Sequence, residues 1–199
     1  MVVRDYMSSK VITVDRQCAI ADARALLRQH RIRQIPVVHS DRLVGIVTDR
    51  DLRSAPAATQ TVGEIMAAKP AVISPMVPID EAARLLRKLK VGALPVVDDN
   101  QLVGIITTAD VLDAFVQFCG VTEPTYHLML AGCEGRDMRW RVRRIIDQKH
   151  GDLKWIYRDR RSRKVHLRLK VTNIDDIVSA LEADGFDVST ILSPSRQRA

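Results

Sequence analysis

The sequence predicts an α+β chain: a β-α-β-β-α unit written twice, followed by a β-α-β-β-α-β unit. Three observations carry this. "LVGIVTDRD" at 43–51 returns as "LVGIITTAD" at 102–110. The 59-residue offset holds without a gap, with 16 identities in 47 pairs between 7–53 and 66–112. Beyond Gly120 and Pro124 the repeat stops, and a new alternation of helical and strand periods begins.

Each copy opens with an extended piece, "VITV" or "PAVI". Ile20, Ala23 and Leu27, and their copies Ile79, Ala82 and Leu86, recur at helical spacing. Two β-rich runs follow, "IPVV" with "LVGIV" and "LPVV" with "LVGII", joined by the polar turns "HSDR" and "DDNQ". Pro36 and Pro95 stand at strand starts, where a missing N–H does least harm. A second helix begins after Thr48 or Thr107. A period near 60 used only twice is not a solenoid and predicts two copies packed as one pseudo-symmetric unit.

In the last third, "YHLMLA" (126–131) reads as a strand. Met138, Val142, Ile145 and Ile146 mark a helix face. Leu153, Trp155 and Tyr157 alternate and read as the core face of a second strand, and Val165, Leu167, Leu169 and Val171 as that of a third. The polar run 158–164 between them reads as a hairpin turn. Asn173 is placed to cap a helix carrying Ile174, Ile177, Val178 and Leu181, Gly185 to end it, and "FDVSTIL" to form the last strand. This order is that of a ferredoxin-like sandwich. The expected boundaries are 1–60 and 61–119 for the copies, 120–125 for a linker, 126–192 for the C-terminal domain and 193–199 for a flexible tail.

Composition narrows the function classes. The chain is 46% hydrophobic but only 4% aromatic, so the cores are aliphatic. No run approaches the roughly 18 apolar residues of a membrane span, and the start has no apolar stretch of a signal peptide. Cys18, Cys119 and Cys133 are odd in number with unrelated spacings, which argues against a disulfide framework or a zinc site. These features predict a cytoplasmic protein without membrane insertion. His30, His39, His127, His150 and His166 are scattered, and no nucleophile–base pair, carboxylate pair or metal set emerges, so no catalytic residue or metal ligand is assigned. Net charge is +7, concentrated in 136–170, where 14 basic residues stand against 4 acidic. That run reads either as a solvated face or as a nucleic-acid surface.

The chemistry-bearing motif is Thr-x-x-Asp, present as Thr48/Asp51 and Thr107/Asp110. It has two readings. As a capping box, the hydroxyl and the carboxylate satisfy backbone N–H groups at a helix start. As a ligand site, the same turn offers a phosphate the helix N-terminus and offers a ribose diol a carboxylate.

The Pro-Val-Val run, the "LVGI" strand and Thr-x-x-Asp, all duplicated, make residues 1–118 resemble a tandem CBS domain pair, or Bateman module. The resemblance implies a regulatory module, not a catalyst, that binds an adenosine-containing ligand (AMP, ADP, ATP or S-adenosylmethionine) in clefts between the copies. Carried over residue by residue, it implies that Thr48 and Thr107 contact phosphate and Asp51 and Asp110 contact ribose. It also implies that Ile12, Val14, Val72 and Ile73 flank the adenine, that Ile35 and Leu94 are wall positions, and that Arg33 binds phosphate. The repeat partner of Arg33 is Gly92, so the two clefts are expected to differ. Such modules pair into discs. Leu52, Leu112 and Phe115, read as apolar helix faces left partly exposed, predict a homodimer. The implied wider partner is a regulated enzyme or transporter.

The C-terminal order resembles an ACT domain, and the whole layout resembles the CBS–ACT proteins of acetoin utilisation. That implies a candidate effector loop at "GCEGRDM" with Gly132 and Gly135, or a dimer contact; both glycines also serve as ordinary loop residues. The alternative function is nucleic-acid binding by Trp140, Trp155, Tyr157 and "RDRRSRK". The core-face reading of Trp155 and Tyr157 weighs against it.

Overall fold

The computed structural model describes residues 1–40, 42–56, 59–132, 135 and 137–193. Cys133 and nearly all of the expected tail lie outside the described residues. The chain divides into two compact units, Met1–Ala114 and Phe115–Ala199.

The first unit carries α1 (Ile20–His30), β1 (Gln34–His39), β2 (Arg42–Thr48), α2 (Asp49–Ser54), β3 (Ala67–Ala68), α3 (Ile79–Leu89), β4 (Ala93–Asp98) and β5 (Gln101–Thr107), and α4 (Thr108–Phe118) leads out of it. The predicted helix faces are the buried ones: Ile20, Ala23 and Leu27 in α1, and Ile79, Ala82 and Leu86 in α3. Both helices end on a left-handed residue, Arg31 (φ 52°) and Lys90 (φ 55°). The next N–H groups turn back into the helix, Ile32 to the Leu27 carbonyl at 3.0 Å and Val91 to the Leu86 carbonyl at 3.1 Å. That is a Schellman stop, which aims each chain directly into its strand.

β1 pairs with β2, and β4 with β5, antiparallel, each with a bulge at the same repeat position, Val37/Val38 and Val96/Val97. The expected opening strands reduce to single parallel bridges, Val14 to Val37 and Ile73 to Val96. Pro36 and Pro95 have no N–H to carry the parallel ladder back toward Ile12 or Ala71, so pairing does not continue on that side.

Each core is completed by the segment leading into the other copy. Val3, fully buried, belongs to the cluster of Ile79, Leu86, Leu94 and Ile106, while Val62, also fully buried, joins Ile20, Leu27, Ile35 and Leu52. The backbone follows: Val3 donates to the Val77 carbonyl at 2.9 Å, and Val62 to the Cys18 carbonyl at 2.9 Å. Leu52 is therefore core, not an exposed helix face as expected, because α2 lays it against α1. Leu112 and Phe115 are exposed, at 59% and 58%.

The second unit carries β6 (Tyr126–Ala131), α5 (Met138–Gln148), β7 (Asp152–Arg158), β8 (Val165–Lys170), α6 (Ile174–Ala183) and β9 (Asp187–Leu192). The sheet order is β7-β8-β6-β9, all antiparallel, so the connectivity is the split β-α-β type. Met138, Val142, Ile145 and Ile146 of α5 and Ile177 and Leu181 of α6 pack on Leu128, Leu130, Val165, Leu167 and Leu169. The Asn173 side chain accepts from the Asp175 N–H at 3.2 Å as the expected cap.

One strand departs from the expected alternation. A bulge lies between Leu153 and Trp155, so Leu153 faces Leu169 while Ile156, not Tyr157, faces Leu167. Leu153 and Ile156 pack against the core. Trp155 and Tyr157 stand on the opposite face, because one extra residue reverses every side chain beyond it. The expected hairpin turn is present but one residue shorter, 159–164, because Arg158 still pairs with Val165 at the end of β7. Among the described residues no helix is long and apolar enough to cross a membrane.

Candidate functional site

β2 ends at Thr48 in an extended conformation, and α2 begins at the next residue. Thr48 Oγ1 accepts from the Asp51 N–H at 3.3 Å, and Asp51 Oδ2 accepts from the Thr48 N–H at 2.8 Å and the Thr48 hydroxyl at 2.6 Å. The copy repeats this: Asp110 Oδ2 accepts from the Thr107 N–H at 2.7 Å and its hydroxyl at 2.7 Å. The capping reading of Thr-x-x-Asp therefore holds in both halves. It does not consume the motif. All these contacts to the carboxylate fall on Oδ2, and Oδ1 of Asp51 takes no hydrogen bond from the described residues. Capping and ligand contact are compatible, because each uses a different oxygen.

A cleft of about 690 Å³ opens beside this turn. From the first copy it takes Arg33, Thr48 and Asp51, and from the second Pro70, Ala71 and Gly92 to Pro95. Arg33 and Gly92, repeat partners, thus line one cleft together. The Arg33 carbonyl accepts from the Asp49 N–H at 2.9 Å, and the Gly92 carbonyl from the Thr108 N–H at 3.1 Å, which fixes each strand entrance to the following helix. A Cβ on Gly92 would meet the Gln34 amide nitrogen at 2.8 Å, so the glycine keeps the two entrances close. Arg50, Arg53 and Lys90 add positive charge around the cleft, with Arg53 paired to Asp49 at 2.7 Å. Sequence reading missed these three; they belong to no shared motif, and only the fold gathers them.

Of the other expected contacts, only Leu94 borders this cleft. Ile35, read as a wall, is fully buried in the first core, so its side chain packs inward. Leu94 borders the cleft but is only 1% exposed, which leaves mostly main chain to offer there. Val14 and Ile73 are buried at their bridges, Ile12 is half-buried, and Val72 is exposed. None of these four lines this cleft, nor do Thr107 and Asp110. In the second unit Gly132 (φ 70°) and Gly135 (φ 113°) hold positive φ, a conformation that favours glycine and explains both as loop residues.

A model of the CBS domain matches residues 3–58 and 62–117. The chain is 35% identical over 113 residues to the CBS domain-containing protein YhcV of Bacillus subtilis, covering 54% of this chain and 81% of that one. It is 36% identical over 107 residues to inosine-5'-monophosphate dehydrogenase of Korarchaeum cryptofilum, covering 53% of this chain but only 22% of that enzyme. Among solved structures it is similar to CBSX2 in complex with AMP (32% identity, TM-score 0.56, 58% of this chain and 96% of that one). It is similar to the CBS domain pair of MJ0100 in complex with 5'-methylthioadenosine and S-adenosyl-L-methionine (32%, 0.56, 59% and 97%). It is also similar to a putative acetoin utilization protein, AcuB, of Vibrio cholerae (31%, 0.57, 62% and 96%). With its duplicated hairpins, exchanged core segments and two Thr-x-x-Asp turns, the chain belongs to the CBS domain family, as a tandem pair.

Proposed function

We propose that the chain is a regulatory sensor of an adenosine-containing ligand, bound in the cleft between the two CBS copies. The observation that carries this is the open Oδ1 of Asp51 in a cleft that also holds Arg33. A carboxylate oxygen accepts from a ribose hydroxyl, and a guanidinium binds phosphate or carboxylate in a fork. The AMP, methylthioadenosine and S-adenosylmethionine bound by the similar CBS pairs support the adenosine class. Thr107 and Asp110, which lie outside this cleft, are the candidate contacts of a second, repeat-related site. CBS pairs are generally regulatory modules, so the reading involves no catalytic residue.

In this reading the C-terminal unit is an ACT-like domain, supported by its element order and sheet order. The chain works as a homodimer, supported by Leu112, Phe115 and Phe118, each more than half exposed along α4. The regulated partner is an enzyme or transporter. The test is a thermal-shift and calorimetric series on the full chain with AMP, ADP, ATP and S-adenosylmethionine. A ligand at about 100 times its dissociation constant adds roughly 2.7 kcal/mol to the unit that binds it. If none of the four binds at millimolar concentration, the reading fails.

A further inference from the structure

We propose that the C-terminal unit carries a binding surface for single-stranded nucleic acid, centred on Tyr157. The β7 bulge places Trp155 and Tyr157 on the sheet face away from α5 and α6. Their rings stack, with centroids 5.9 Å apart and planes 15° from parallel, and Tyr157 is 49% exposed. Two stacked rings at the rim of a sheet, the outer one open, form a platform for a base, since every base has a π face. The cross-strand neighbours on this face are His166 beside Tyr157 and Arg168 beside Trp155.

Positive charge gathers at the edge of the sheet beside Tyr157. Tyr157 also borders a cavity of about 880 Å³ lined by Arg139, Arg158, Arg160 and Arg163. Several basic residues of the unit are already paired. Arg141 and Arg144 pair with Asp184, Arg143 with Asp147, and Lys154 with Asp152 and Glu123. Arg139, Arg158 and Arg160 make no ion pair with the described residues. The acid of this cavity, Asp159, is engaged within the hairpin turn, accepting from the Arg161 N–H at 2.9 Å and the Ser162 hydroxyl at 2.6 Å. Uncompensated charge therefore stands beside the exposed ring. Aromatic stacking beside an arginine cluster favours an unpaired strand, because bases in a duplex are not available to stack.

The test is fluorescence anisotropy of the full chain with a labelled 12-residue oligonucleotide, single-stranded and as its duplex, across a salt series, with anionic vesicles as a competitor. The single strand is expected to bind more tightly than the duplex, with a negative salt slope of about 0.7 per phosphate engaged. Tyr157→Ala is expected to weaken binding at least five-fold with the salt slope unchanged, while Tyr157→Phe retains it. Arg158→Ser with Arg160→Ser is expected to make the slope shallower by about 1.4. Unchanged melting of each variant keeps the comparison clean. Absence of binding, a duplex bound as tightly as the single strand, displacement by vesicles alone with Tyr157→Ala like wild type, or equal loss in Tyr157→Phe and Tyr157→Ala would each overturn the proposal.

Discussion

The side chain of Met66 fills the space that a Cβ on Gly45 would need, and 59 residues along the repeat the side chain of Met7 does the same at Gly104. The backbone confirms the closeness, with the Ala67 and Ser8 carbonyls 3.1 Å and 3.2 Å from those Cβ positions. The glycine of "LVGI" is thus explained by the exchanged segment that crosses it. Gly45→Ala and Gly104→Ala are each expected to cost about 1–3 kcal/mol by overpacking. Denaturant unfolding checks this. Because the methionine is the clashing group, Gly45→Ala combined with Met66→Ala is expected to lose less than the sum of the single changes.

Ile35 distinguishes core from cleft. As a fully buried core residue, Ile35→Val is expected to cost about 0.5–1.5 kcal/mol. Ligand affinity, measured by calorimetry, is expected to stay within two-fold of wild type. A large affinity loss without a stability loss would return Ile35 to the cleft wall.

The sequence revealed much of this architecture and hid specific parts of it. The duplication was legible because the repeated letters encode the same turns, caps and helix faces. Thr48/Asp51 and Thr107/Asp110 were legible because capping needs fixed spacing. The positions of Val3 and Val62 were not, since a three-residue turn has no period and its partner is distant in sequence. Trp155 and Tyr157 were misassigned because strict alternation gives no sign of a bulge at Lys154. Ile35 and Leu94 matched the same motif position, but only Leu94 borders the described cleft, because a motif does not say which face of a strand packs inward.

His127 and His166 stand side by side on β6 and β8, with ring nitrogens 3.2 Å apart and Arg168 directly across from His127. Partial burial, then the charges of Arg168 and His166, hold the His127 pKa below its ordinary value of 6.5. The unfolded chain therefore binds this proton more readily. The contribution to stability is complete above 6.5 and is lost as pH falls through the depressed folded value. Hydrogen exchange of β6 and β8 amides is expected to be less protected near pH 5 than near pH 7.5, after correction for intrinsic rates. His127→Gln is expected to flatten that difference.

The proposed pairing through α4 has a direct consequence for mass. Light scattering at micromolar concentration is expected to give twice the 22.3 kDa of one chain. Phe115→Glu, on a 58% exposed side chain, is expected to give single chains that remain folded. A wild-type mass of one chain would contradict the dimer.

The most direct test of the ligand-sensing account is calorimetric titration of Asp51→Asn with the adenosine ligand that wild type binds best. Asparagine keeps an oxygen for the Thr48 cap but replaces the open acceptor with a donor. Hydrogen bonds to a charged group are worth roughly 1.5–3 kcal/mol, and 1.4 kcal/mol is about ten-fold in affinity. The account predicts at least a ten-fold loss of affinity with stability lowered by less than about 1 kcal/mol. Wild-type affinity in Asp51→Asn would contradict it and leave the carboxylate as a helix cap alone.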